Sequence, residues 1–254
     1  MTALLEVQDL RLSFGGVSAL GGVSLRVAER ETVALIGPNG SGKTSLFNCV
    51  TGFYRPDGGA ITFAGQSLLG CAPEEVARRG IARTFQNIRL FKHLHVVDNL
   101  MVGRHLHFCR RFTDALLGRQ KEESRQRREC EGLLERLDLR EWRDVAAAHC
   151  PYGIQKRVEL ARALATRPRL LLLDEPASGL TATEREDLAA RIRVARDALG
   201  ITLLLVEHDL GFAEQLASRM VTMDEGAVIA EGTPSEVRSH SDVRSTYRGA
   251  AARE

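Results

Sequence analysis

The chain has 254 residues and a net charge of +2, with 44% hydrophobic and 27% charged residues, an ordinary globular balance. That length suits one large α/β domain or a main domain with a subdomain, and near-neutrality gives no whole-molecule field for nucleic acid. The longest apolar runs, LLLL at 170–173 and ITLLLV at 201–206, fall far short of the ~20 residues that span a bilayer, so any membrane role is expected to come through a partner.

The opening MTALLEVQDLRLSF places Glu6 and Asp9 where a signal peptide needs a basic start and an apolar run. Leu5, Val7, Leu10 and Leu12 are separated by polar residues, and VSLRV (23–27) and TVALIG (32–37) follow at short spacing. This predicts an antiparallel β element leading into a buried strand. After Gly37 comes a glycine-rich turn and then KTSLFNCV, which opens a helix. AITFAG (60–65) is another strand, preceded by the turn residues Pro56, Asp57, Gly58 and Gly59.

From about 88 to 150 the pattern is helical. QKEESRQRRECEGLLERLDL suits a helix with Leu133, Leu134 and Leu137 on one side and a Glu123–Arg127 pair at i,i+4. Two continuous apolar runs follow, RLLLLD (169–174) and ITLLLVEHD (201–209), as strands covered on both faces of a parallel sheet should read. The amphipathic TEREDLAARIRVARDAL between them completes a β-α-β unit. The expected fold is an α/β P-loop core over 1–87 and 151–254. It has a mainly parallel sheet, an N-terminal antiparallel β element and a helical subdomain inserted at 88–150. The tail RGAAARE is expected to fray.

Five scattered cysteines without a C-x-x-C pair fit structural thiols in a reducing compartment. HLHFC (105–109) has no second Cys/His cluster at zinc-like spacing, so it is read as helix-face side chains rather than a metal site.

Three motifs carry chemistry. Gly37-Pro38-Asn39-Gly40-Ser41-Gly42-Lys43-Thr44 matches G-x-x-x-x-G-K-[ST] between a strand and a helix. Its glycines let the backbone wrap so that successive N–H groups, with those of Thr44 and Ser45 at the helix start, face phosphate. Lys43 supplies charge for the β- and γ-phosphates, and the Thr44 hydroxyl is placed for Mg²⁺. LLLLDEP (170–176) ends a strand in Asp174, a carboxylate for the Mg²⁺ shell, and Glu175, placed to polarise an attacking water. Glu207-His208-Asp209 ends the next strand, so His208 can reach the γ-phosphate from the side opposite Lys43.

The order of phosphate loop, TFQN (84–87), YGIQKRVELARAL (152–164), LLLLDEP and VEHD resembles the ATP-binding-cassette ATPases across nearly the whole chain. That resemblance implies ATP and Mg²⁺ as ligands. It implies Phe14 as the adenine-stacking aromatic, Gln86 as the residue sensing Mg²⁺ and water, Glu175 as general base and His208 as γ-phosphate switch. Gly153, near the start of a helix expected over 154–166, belongs to the segment that closes on the nucleotide of an opposite subunit. FGGVSAL (14–20), GIARTFQNIRLFKHLHVVDNLMVG (80–103) and EGTPSEVRSHSDVRSTYRG (231–249) are most similar to ATPase subunits of branched-chain amino acid importers; subunits of urea or other polar-solute importers look much the same.

The implied partners are transmembrane permease subunits and a second cassette, identical or not, with an extracytoplasmic solute-binding protein reached only indirectly. The implied place is the cytoplasmic face of the plasma membrane. Two departures stand out. Cys150-Pro151-Tyr152-Gly153-Ile154 replaces Leu-Ser-Gly-Gly-Gln, removing the serine hydroxyl and an N–H. Thr181-Ala182 stands where Asp or Asn followed by Pro is common. The first motivates a rival reading as a non-catalytic partner cassette, against which Lys43, Thr44, Gln86, Asp174, Glu175 and His208 are all intact. A second rival, a soluble cassette working on nucleic acid or cofactor assembly, rests on the basic run 110–128, with seven Lys/Arg against three acids; a solvated helix face explains that run better.

Overall fold

The computed structural model describes residues 3–107 and 119–244. RGAAARE, the end of HLHFC and the first part of the basic run lie outside them. Strands β1 (Ala3–Phe14) and β2 (Val17–Ala28) form a long hairpin, and β3 (Thr32–Ile36) follows, buried along its whole length. β4 (Gly58–Phe63) pairs with the other side of β1, and β5 (Gln66–Ser67) closes an antiparallel sheet of order β2-β1-β4-β5. β2 starts six residues before VSLRV. Its first half lacks apolar alternation, and the hairpin register, with Phe14 opposite Val17 and Leu12 opposite Leu20, carries it instead.

The second sheet has the order β10-β9-β3-β8-β7-β6. Its further members are β6 (Ile81–Arg83), β7 (Leu170–Asp174), β8 (Thr202–Glu207), β9 (Arg219–Asp224) and β10 (Ala227–Gly232). All neighbours from β6 to β9 run parallel; only β10 is antiparallel, on β9. β7 and β8 are buried throughout, as their unbroken apolar runs require.

The helices are α1 (Lys43–Val50), α2 (Pro73–Arg78), α3 (Val96–Gly103), α4 (Arg119–Arg136), α5 (Tyr152–Ala165), α6 (Ala182–Leu199), α7 (Leu210–Leu216) and α8 (Pro234–Ser239). The parallel sheet separates two hydrophobic cores. Ile36, Leu171, Leu173, Leu203 and Leu205 face a core built with α3, α4, α5 and α6. Leu35, Leu170, Leu172, Leu204 and Val206 face α1 and the antiparallel sheet. Between 88 and 150 the described backbone carries α3, α4 and short 3-10 turns, with an isolated bridge between His95 and Ala146. Leu133, Leu134 and Leu137 are buried together beside Val96, Leu100 and Val158.

Two local expectations are corrected. Arg127 does not take Glu123: it reaches across to Asp98 of α3 (3.3 Å), a pair set by helix packing, while the pair within α4 is Arg125 with Glu122 at i,i+3 (2.8 Å). Helix α5 begins at Tyr152, not 154, because Pro151 at its N-cap (φ −55°) already has the ring-locked torsion that a helix entrance accepts. Cys49, Cys71, Cys130 and Cys150 are free, and burial pushes the Cys49 and Cys130 thiols up to about 11, well away from reactive thiolates.

Candidate nucleotide site

The loop between β3 and α1 turns under close backbone contact. A Cβ on Gly37 (φ 145°) would stand 2.1 Å from the Met223 carbonyl oxygen, and one on Gly42 (φ 100°) 2.6 Å from that of Ala19. Only glycine fits at either place, whereas Gly40 faces open space. Ser41 and Lys43 are buried; Asn39, Gly40 and Thr44 are exposed, with Ser45 half-buried behind them. The Lys43 ammonium donates to the Gly37 oxygen (2.8 Å), the Pro38 oxygen (2.7 Å) and Ser41 Oγ (3.1 Å). Burial lowers its pKa, and the charges of Glu175 and Asp174 oppose that shift. A cation is thus set into the loop, with two carboxylates in its field.

Those carboxylates come from the end of β7. Asp174 is buried, and its backbone N–H reaches Thr84 Oγ1 at 3.4 Å. Glu175 takes a left-handed backbone (φ 46°), pinned by its N–H donating to the Val206 oxygen at 3.0 Å. A non-glycine residue held there is strained, and such strain collects at functional sites. Glu175 Oε2 accepts from Gln86 Nε2 (2.9 Å) and lies 3.9 Å from His208 Nδ1. Three residues 89 and 33 positions apart therefore meet at one carboxylate oxygen, beside the lysine's loop.

Glu207, under this rim, is wholly buried and accepts from the Ala177 N–H at 3.0 Å. Burial lifts its carboxyl from 4.5 to about 7, the Ala177 hydrogen bond working against the shift. A raised carboxyl pKa makes its contribution to stability full below the unfolded value and lost as pH rises through the folded one, a window here of 4.5 to about 7. Glu207→Gln should leave the melting temperature near wild type at pH 5 and raise it at pH 8, by about 2–4 °C per kcal/mol of relieved desolvation. Equal shifts at the two pH values would rule this out.

The helix N-termini differ in how they are capped. α6, α7 and α8 are capped by the side chains of Thr181, Asp209 and Thr233, and α2, α3 and α4 carry an acid in the first turn. Among the described helices only α1 and α5 have neither; the first N–H groups and positive dipole end of α1 are left to an outside anion, whereas the start of α5 has the Glu184 carboxylate of α6 beside Gly153. For α1 this completes a donor set that suits a magnesium-bound nucleotide: N–H groups and Lys43 for phosphate, and the hard oxygens of Thr44, Gln86 and Asp174 for the cation.

Gly153, at the start of α5, packs on α6: a Cβ there would stand 2.7 Å from Glu184 Oε1. Tyr152 Oη donates to the Ser178 oxygen (3.3 Å), and its ring fills the space over Gly179. Thr181 makes a capping box with Glu184, so this departure has a local structural reason. Phe14, half-exposed at the end of β1, meets the Tyr54 ring edge-on at 5.3 Å.

Four functional side chains have no motif to announce them. Arg83, the last residue of β6, binds Asp174. Lys156, Glu159 and Arg162 run along one face of α5 and hold the segment after TFQ. Lys156 Nζ donates to the Gln86 oxygen (3.0 Å), Glu159 accepts from the Arg89 N–H (3.2 Å), and Arg162 donates to the Arg89 oxygen. Burial lowers the Lys156 pKa and raises that of Glu159, the cost of placing charges inside this joint. Their i, i+3, i+6 spacing on an otherwise apolar face was the available signal.

Known proteins place the chain. Residues 20–178 match the ABC transporter family. The chain is 43% identical over 98% of both chains to the high-affinity branched-chain amino acid transport ATP-binding protein BraF of Pseudomonas aeruginosa. It is 40% identical, with the same coverage, to LivG of Escherichia coli K12, described in the same words. Among solved structures, the ADP conformation of an ATP-binding cassette of an ABC transporter superposes with a TM-score of 0.86 at 31% identity, covering 98% of this chain and 100% of that one. With a glycine cradle, buried lysine and carboxylate rim in the matched segment, the chain belongs to the ABC transporter family, as one of its ATP-binding cassettes.

Proposed function

We propose that this cassette hydrolyses Mg-ATP at the rim of β7 and β8 to energise import of branched-chain amino acids. The observation that carries the hydrolytic reading is the meeting of Gln86 and His208 on Glu175, beside Lys43. Glu175 takes the proton of the attacking water, Gln86 orients that water, and His208 and Lys43 stabilise charge on the γ-phosphate. Thr44, Asp174 and Gln86 would hold Mg²⁺, which when bound would supply further neutralisation of phosphate charge. Phe14 stacks on adenine.

Full-length likeness at 40–43% to branched-chain amino acid cassettes supports the cargo; a sulfate/thiosulfate import cassette of Bradyrhizobium diazoefficiens is 36% identical, and the match covers 64% of its length. The uncapped start of α5, with Gly153, supports pairing with a second cassette whose γ-phosphate it would meet. No described helix is long and apolar enough to cross a membrane, and permease partners would carry that task. A cavity of about 300 Å³ beside the Gln86 segment, with the exposed Phe53 and Phe91 on its walls, supports permease contact there on the cytoplasmic face. The helical segment 88–150 is the proposed moving part, and a solute-binding protein is reached only through the permease. Nucleic acid has no place in this reading.

Uptake of labelled leucine, isoleucine and valine by cells lacking this chain tests the cargo. Uptake should fall to background and return with the wild-type chain but not with Lys43→Ala. Unchanged leucine uptake with loss of urea uptake would transfer the assignment to urea.

A further inference from the structure

Arg83 is placed unlike any other cation in the site. Its side chain and that of Asp174 are 7% and 6% exposed, and their contact is 2.6 Å. The other terminal nitrogen donates to Asn48 Oδ1 (2.7 Å) and approaches Thr51 Oγ1 (3.3 Å), both on the helix side of the phosphate loop. The guanidinium lies between the rings of Phe47 and Phe85, 5.4 and 5.1 Å from their centroids. Bonds to α1 and β7 and two aromatic faces therefore fix a full positive charge against the carboxylate proposed for the Mg²⁺ shell. Arg83 also lines the cavity whose walls carry Phe53 and Phe91.

Two cations held at one buried carboxylate repel each other and compete for its lone pairs. We propose that Arg83 is a positioning residue that competes with Mg²⁺ for Asp174 and so sets how much Mg²⁺ the nucleotide site needs. Without a divalent ion the guanidinium holds the Asp174 carboxylate in place at the end of β7. When the ion arrives it shares the carboxylate with Arg83 and binds more weakly than the bare carboxylate would allow. The proposal rests on the Mg-ATP reading of the site.

The test is binding of a fluorescent ATP analogue to the purified chain while free Mg²⁺ is titrated. Arg83→Gln keeps a donor for Asp174 but loses the charge, so the half-saturating Mg²⁺ should fall by about tenfold, the scale of one charge-assisted contact. Arg83→Lys keeps the charge and loses the fork to Asn48 and Thr51; its Mg²⁺ requirement should stay within about threefold of wild type. A merely structural role would shift both variants alike or neither, and either result overturns the proposal, as does a raised Mg²⁺ requirement in Arg83→Gln. Should Arg83→Gln fail to fold, Arg83→Met, which also removes the charge, takes its place with the same fall expected, and no fall in it overturns the proposal. Asp174→Asn separates the two readings. If its Mg²⁺ titration matches wild type, the assignment of Asp174 to the ion fails; if it differs while Arg83→Gln does not, only the role of Arg83 fails.

Discussion

Glu175→Gln should lower steady-state ATP hydrolysis by about 10²–10⁴-fold, the usual worth of a general base, and leave Mg-ATP binding within a few-fold of wild type. The substitution keeps the shape and an oxygen for Gln86, whose Nε2 lies 2.9 Å from the carboxylate. It also keeps the strained turn, because the φ of 46° is held by the backbone bond to Val206. What it removes is the capacity to take a proton. ATP then stays intact where two cassettes meet, and light scattering on the purified variant should show an Mg-ATP-dependent shift from monomer to dimer. Wild-type turnover would end the assignment of Glu175 as base. ATP binding without a mass shift would mean that the start of α5, with Pro151 and Tyr152, closes only on a different sister cassette.

Lys43→Ala should act earlier, on binding itself. Its ammonium is shared among the Gly37, Pro38 and Ser41 oxygens, and burial makes that charge costly to keep. Charge-assisted hydrogen bonds contribute about 1.5–3 kcal/mol each, so losing contacts to two phosphate groups should raise the Kd for ATP by at least about 10²-fold, with turnover lost alongside. Isothermal titration would read it directly. An unchanged Kd would show that the N–H groups of the loop hold nucleotide without the lysine.

Contiguous features of the site were legible in the sequence. The phosphate loop, Asp174-Glu175 and His208 each sit where a buried strand ends, and parallel strands ending side by side bring such residues to one rim. Arg83 was not legible, because its partner is 91 positions away and the two meet only through the pairing of β6 with β7. Lys156, Glu159 and Arg162 mark one helix face by their i, i+3, i+6 spacing, but what they hold shows only when the backbone of 86–89 is laid beside them. Thr181 was legible: Thr181-x-x-Glu184 before an amphipathic run spells a capping box, a local role for a residue that departs from the family's usual Asp or Asn. The early half of β2 escaped because glycine and serine hide alternation that only the hairpin partner restores.

Along β3, β7 and β8 successive side chains belong in turn to one core and then to the other. The sheet is therefore a common wall with no layer of its own. A volume change on the helical side pushes the same strands that α1 leans on, and the free ends of those strands carry Asp174, Glu175 and His208. A change of core volume in either half should therefore be felt in catalysis as well as in stability, far along the chain from the residues that perform it.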